Sequence, residues 1–226
     1  MKRTLLFAAL LAFAGVASAR QDNNNGRDID KINSSIAAAA GQAHGNLSTV
    51  NGSIRIEDNA TIEDAETVNG GIRAGNGIRS GGLSTVNGSI QVGTGARIDG
   101  DVETVNGGVF IDRGSKVRSG VATVNGAIGL VDTELGGGIE TVNGDITVGV
   151  GSHVKGGIRV EKPGKGWGIR MGKPKVPRVV IGPNAVVQGP LVFEREVTLY
   201  VHQSARIGAV SGATAQRFTA PTPPKE

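Results

Sequence analysis

The chain has 226 residues, with 37 Gly, no Cys and an aromatic share of 3%. So many Gly and so few large side chains exclude an ordinary globular core and suit thin layers joined by frequent turns, and the lack of Cys excludes disulfides and thiolate metal sites. The formal charge of +4 is unevenly spread: residues 161–178 hold six basic side chains and one acidic, so the overall basicity does not indicate a nucleic-acid binder.

Residues 1–19 read as a secretory signal peptide. Lys2 and Arg3 precede the apolar run Leu5 to Val16, and Ala17-Ser18-Ala19 supplies the small residues a signal peptidase accepts. The run is too short to span a bilayer, and no Cys follows it to carry a lipid. Export to the periplasm or cell surface is expected, with the mature chain beginning near Arg20. Without Lys2 and Arg3 the balance is 22 basic against 20 acidic residues. No later apolar stretch is long enough for a transmembrane span. Residues 20–30 form a polar N-terminal segment.

Residues 31–160 are a repeat region. Thr-Val-Asn-Gly begins at Thr49, Thr67, Thr85, Thr104, Thr123 and Thr141, at spacings of 18, 18, 19, 19 and 18 residues. A degenerate copy lies at Lys31-Ile32-Asn33-Ser34-Ser35-Ile36. The period is too short for a helical hairpin, and no 3.6-residue periodicity runs between the copies. Aliphatic residues recur at fixed offsets, as in Val86, Ile90, Val92, Ala96, Ile98 and Val102. Pairs at i and i+2 point the same way from a strand, while Asn and Gly mark corners. The expected fold is therefore all-β: a single-domain triangular parallel β-helix, or β-solenoid, with coils of about 18 residues stacked about 4.8 Å apart. The valine of each motif is expected inside, so that Val86, Val105 and Val124 stack in the core.

Residues 161–178 form a basic Gly/Pro-rich loop, carrying Lys162, Lys165, Arg170, Lys173, Lys175 and Arg178 around the sole Trp, Trp167. Residues 179–210 resume the solenoid, because Val148-Gly149-Val150-Gly151-Ser152 has a counterpart in Ile181-Gly182-Pro183-Asn184-Ala185. Residues 211–226 read as a loose C-terminal tail.

The stretches Val92-Gly93-Thr94-Gly95-Ala96 and Ile181-Gly182-Pro183-Asn184-Ala185, with Gly100, Gly156 and Gly189 following, resemble the bactofilins. The Thr-Val-Asn-Gly copies resemble the putative adhesins of bacterial envelopes. The first resemblance implies a triangular parallel β-helix that polymerises, the second an envelope β-solenoid, and neither supplies a catalytic residue. A signal peptide departs from the cytoskeletal role that the bactofilin likeness implies.

Three groups of side chains are candidates for chemistry. Stacked Asn51, Asn69, Asn87, Asn106, Asn125 and Asn143 are expected to hydrogen-bond amide to amide as a structural ladder, a flat Thr/Asn array for glycan or ice being the alternative. The acidic clusters Glu63, Asp64, Glu66 and Asp99, Asp101, Glu103 are separated by a coil with Gly81, Gly82 and Ser84, so they do not converge as a calcium or acid–base site requires. His44, His153 and His202 lack the acyl-donor loop that a hexapeptide-type acyltransferase would pair with a general base. No Gly-rich turn leads into a helix to cradle phosphate, and no cofactor is expected.

The resulting expectation is a non-enzymatic structural or interaction protein of a bacterial envelope, capable of self-assembly. Lys162, Lys165, Trp167, Arg170, Lys173, Lys175 and Arg178 would contact an anionic envelope surface. A glycan-binding or adhesin-like solenoid is the alternative, and an acyltransferase or polysaccharide lyase stands behind both.

Overall fold

The computed structural model describes residues 26–163 and 175–224. Residues 1–19, where a signal peptide is expected, and much of the basic segment lie outside them. Among the described residues every element is a β-strand and every pairing is parallel. They form two ten-stranded sheets and one seven-stranded sheet, in which each strand pairs with its counterpart one coil away. The protein is a three-faced parallel β-solenoid.

The first face takes the longest strands, such as Leu47–Asn51, Ala65–Asn69, Leu83–Asn87 and Val102–Asn106. The second face takes Ile54–Ile56, Ile72–Ala74, Ile90–Val92 and Val109–Ile111. The third has two-residue strands such as Arg79–Ser80 and Arg97–Ile98. Identical motif positions are in register, Thr67 with Thr85 and Asn69 with Asn87. Aliphatic side chains from all three faces fill one continuous core, including Leu83, Ile90, Val92, Ile98 and Val102. Each fully buried Leu, Ile or Val contributes roughly 1.5–3 kcal/mol.

The corner between the second and third faces uses one residue per coil in the left-handed region. Gly41, Asn59, Gly77, Gly95, Gly114, Asp132, Gly151 and Asn184 have φ between 43° and 71°. That conformation is cheapest for Gly, Asn and Asp, which accounts for the residue types found there.

The orientation of the motif reverses the sequence expectation. The threonines are buried and the valines face outward: Thr49, Thr67, Thr85, Thr104, Thr123 and Thr141 are at most 4% exposed, whereas Val50 is 37% exposed. Val86, Val105 and Val124 are half-buried on the outer surface. Strand parity decides this. In Leu83–Asn87 the large core residue is Leu83, so Thr85 shares its side and Val86 cannot. A buried hydroxyl needs a partner, and for five of the six the neighbouring coil supplies one, whereas Thr141 Oγ1 is buried without one. The Oγ1 atoms of Thr67, Thr85 and Thr104 donate to the carbonyls of Gly52, Gly70 and Gly88 at 2.8 Å. Thr49 and Thr123 donate likewise to Ser34 and Gly107 at 3.0 and 2.9 Å.

Three boundaries also shift. The strand Ile29–Lys31 already pairs with Leu47–Asn51, so the solenoid starts inside the polar segment 20–30 and not at residue 31. Arg178 opens the strand Arg178–Ile181, so it belongs to the resumed solenoid and not to the loop. The strand Ala215–Phe218 pairs with Thr198–His202, so the solenoid continues past residue 210 into the segment read as a loose tail.

The inverted motif separates two substitutions. Thr104→Asp places an unpaired carboxylate in the core at a cost of several kcal/mol and should abolish the cooperative thermal transition. Val105→Asp, one residue along, should stay folded with a melting temperature within a few degrees of the parent. Circular dichroism melts of the pair check the register.

Candidate functional site

The corner after each Thr-Val is the most regular site in the molecule. Asn51, Asn69, Asn87, Asn106, Asn125 and Asn143 form the expected ladder. Each Nδ2 donates to the Oδ1 of the asparagine one coil earlier, at 2.8–3.0 Å, and the first bond reaches Asn33 of the degenerate copy. The glycine that follows is fixed by space. A Cβ on Gly70, Gly88, Gly107, Gly126 or Gly144 would sit inside 3.0 Å of the carbonyl oxygen of the glycine one coil earlier. At Gly52, Gly70, Gly88 and Gly107 that carbonyl also receives the buried threonine hydroxyl. Asn, Gly and Thr are thus bound to one another across coils.

The ladder ends where the basic segment leaves the solenoid, and a residue that sequence reasoning passed over closes it. Arg195 Nη1 donates to Asn143 Oδ1 at 2.6 Å and to the Val142 carbonyl at 3.0 Å, while Nη2 donates to the Lys175 carbonyl at 3.0 Å. One guanidinium therefore joins the last asparagine to the returning end of the segment, a use suited to its planar array of donors. The sequence signal was weak: Phe193-Glu194-Arg195 occupies the register of Val160-Glu161-Lys162, one coil beyond the missing motif.

The expected anionic-surface residues divide. Lys165, Trp167, Arg170 and Lys173 lie outside the described residues, and Lys162 is exposed. Lys175 is paired with Asp145 at 2.6 Å. The Arg178 guanidinium lies 5.0 Å over the Tyr200 ring, and its Nη2 donates to the Pro224 carbonyl at 2.5 Å. Lys175 and Arg178 thus tie the segment and the C-terminal residues to the solenoid body.

The two acidic clusters remain apart. Asp64 accepts the Gly82 amide at 2.5 Å and Asp101 the Gly120 amide at 2.7 Å, while Asp99 pairs with Arg118 at 3.1 Å. These carboxylates serve backbone amides of the next coil or a neighbouring cation. The histidines are separate as well. His202 is buried against Phe218 with Nδ1 2.8 Å from Ser204 Oγ, and His153 Nε2 lies 2.8 Å from Gln188 Nε2.

On the first face, beside the outward valines, a second outward column reads Ser48, Glu66, Ser84, Glu103, Ala122, Glu140. Burial, then Asp101 and Glu140, raise the pKa of Glu103 above the ordinary carboxylate value, and burial with Asp64 raises that of Glu66. Glu161 is raised by burial and by Glu140 and Glu194. A shallow depression of about 220 Å³ lies over Ala122, between Glu103 and Glu140 and floored by Val105 and Val124. No family model, curated protein or solved structure matches the chain.

Two measurements probe this surface. Asn106→Ala removes two ladder bonds and should lower stability by about 1 kcal/mol, read from chemical denaturation. For Glu103, a raised folded pKa means that the native state holds more protons than the unfolded one just above the ordinary value of 4.5. Its ionisation therefore destabilises the fold as pH rises through that window. Glu103→Gln should melt with the parent below the window and progressively above it in temperature as pH climbs, the difference levelling off once Glu103 is ionised.

Proposed function

We propose that this chain is an exported, non-enzymatic structural or interaction protein of a bacterial envelope, a stiff rod that carries a basic anchoring segment. The observation that supports the rod is the use made of the repeated side chains. Threonine hydroxyls and asparagine amides bond from coil to coil, and the intervening glycines pack against the preceding turn. Repetition of this kind builds length and rigidity. The signal-like residues 1–19 support export.

The anchoring part rests on Lys162, Lys165, Arg170, Lys173 and Trp167, cations that flank one amphipathic side chain in sequence and suit an anionic envelope surface. Lys175 and Arg178 already have partners in the solenoid body and are left out of this role. Co-sedimentation of the exported protein with anionic and neutral vesicles is the test. Changing Lys162, Lys165, Arg170 and Lys173 together to Gln should remove salt-sensitive binding to anionic vesicles without moving the melting temperature, whereas Lys175→Gln should keep binding. Equal binding to neutral vesicles, or binding retained by the fourfold variant, would refute the anchor.

A further inference from the structure

The outward valines are the feature that the structural reading leaves unused. An aliphatic residue on the outer surface adds little to the core, yet five of the six copies carry one there, Val50, Val68, Val86, Val105 and Val124, and only Val142 is covered. Beside it, carboxylates alternate with small residues, so Glu66, Glu103 and Glu140 stand two rungs apart, about 10 Å, with gaps at Ser84 and Ala122. No cation joins this column before Arg159, which is itself paired with Glu194 at 2.9 Å.

The second face has the complementary outer column: Arg55, Arg73, Gln91, Phe110, Gly129. That column carries no carboxylate. Phe110 is 44% exposed, and its Cδ2 lies 3.2 Å from where a Cβ on Gly129 would stand, so the ring leans over a glycine and projects from the sheet.

Resting on the reading of the chain as a structural rod, we propose that the first face of one molecule docks laterally on the second face of a parallel second copy, with Phe110 of that copy seated in the depression over Ala122. The rungs of both faces repeat at the same spacing, about 4.8 Å, so one contact sets the rest. With Phe110 opposite Ala122, the second copy's Gln91 meets Glu103 and its Arg55 meets Glu66. Antiparallel docking would set Arg73 against Arg159. The only ion pair Arg55 gives up is the exposed contact with Glu57 at 3.8 Å, a weak one. The valines supply the apolar floor. The contact is heterologous, so each rod retains a free first or second face, and association closes into a ring or grows sideways into a sheet. One face of this size, roughly 20 Å along the outward valines, stands at the low end of specific interfaces, so assembly depends on concentration.

Sedimentation velocity on the exported protein at low salt tests this. The parent should grow beyond monomer with concentration. Phe110→Lys, Glu66→Arg and Arg55→Glu should each return it to the monomer while keeping a cooperative melting transition, because all three side chains lie outside the core. The double variant E66R/R55E should recover association. A mixture of E66R/E103R with F110K should give dimers and stop there, because each partner keeps one working face. Association unaffected by the single variants, failure of the double variant to recover, or a mixture that stays monomeric would overturn the proposal. A parent that stays monomeric but rod-shaped by electron microscopy would reject lateral docking alone, whereas a compact, non-rod particle would reject the structural reading beneath it.

Discussion

The closest approach between successive coils, at the corner after the asparagine, governs the rest of the molecule. The backbone passes so near the preceding turn that only glycine fits, and the carbonyl it approaches satisfies the threonine hydroxyl turned into the core. A polar residue can then occupy an interior position without an unpaired hydroxyl. With threonine inside, alternation sends the valine outward and brings the asparagine to the corner, where its amide bonds its own counterparts. Space at one glycine thus fixes the identity of the residues around it.

The solenoid, its three faces and its coil length were legible in the sequence because in-register stacking repeats the same chemistry at a fixed interval. The asparagine ladder was legible for the same reason. The inward face of the motif was not. Leu83 and Val86 are both apolar and three residues apart, and a single strand can bury only one of them. Hydrophobicity favours the valine over the neighbouring threonine, whereas the structure favours the threonine because a carbonyl waits for it. That acceptor belongs to another coil and leaves no mark in local sequence.

Singular contacts were the least legible. Arg195 caps the ladder from the far side of the basic segment, and Arg178 reaches Tyr200 and Pro224, so each bond joins parts of the chain well separated in sequence. Nothing repeats there, and periodicity carries no information about such residues. The strand Ala215–Phe218 was hidden likewise: it pairs in register with Thr198–His202 without sharing the motif.

The asparagine ladder has a direction, since each amide nitrogen along it donates toward the amino-terminal end. After duplication or deletion of a coil within the run, each asparagine would still meet an acceptor on the preceding coil and a donor on the following one, so the number of coils is an open variable on which evolution can act in whole steps. The guanidinium of Arg195 is where that freedom stops. It receives the column on an element unlike the repeats, so rods of different length could share one terminus and differ only in reach.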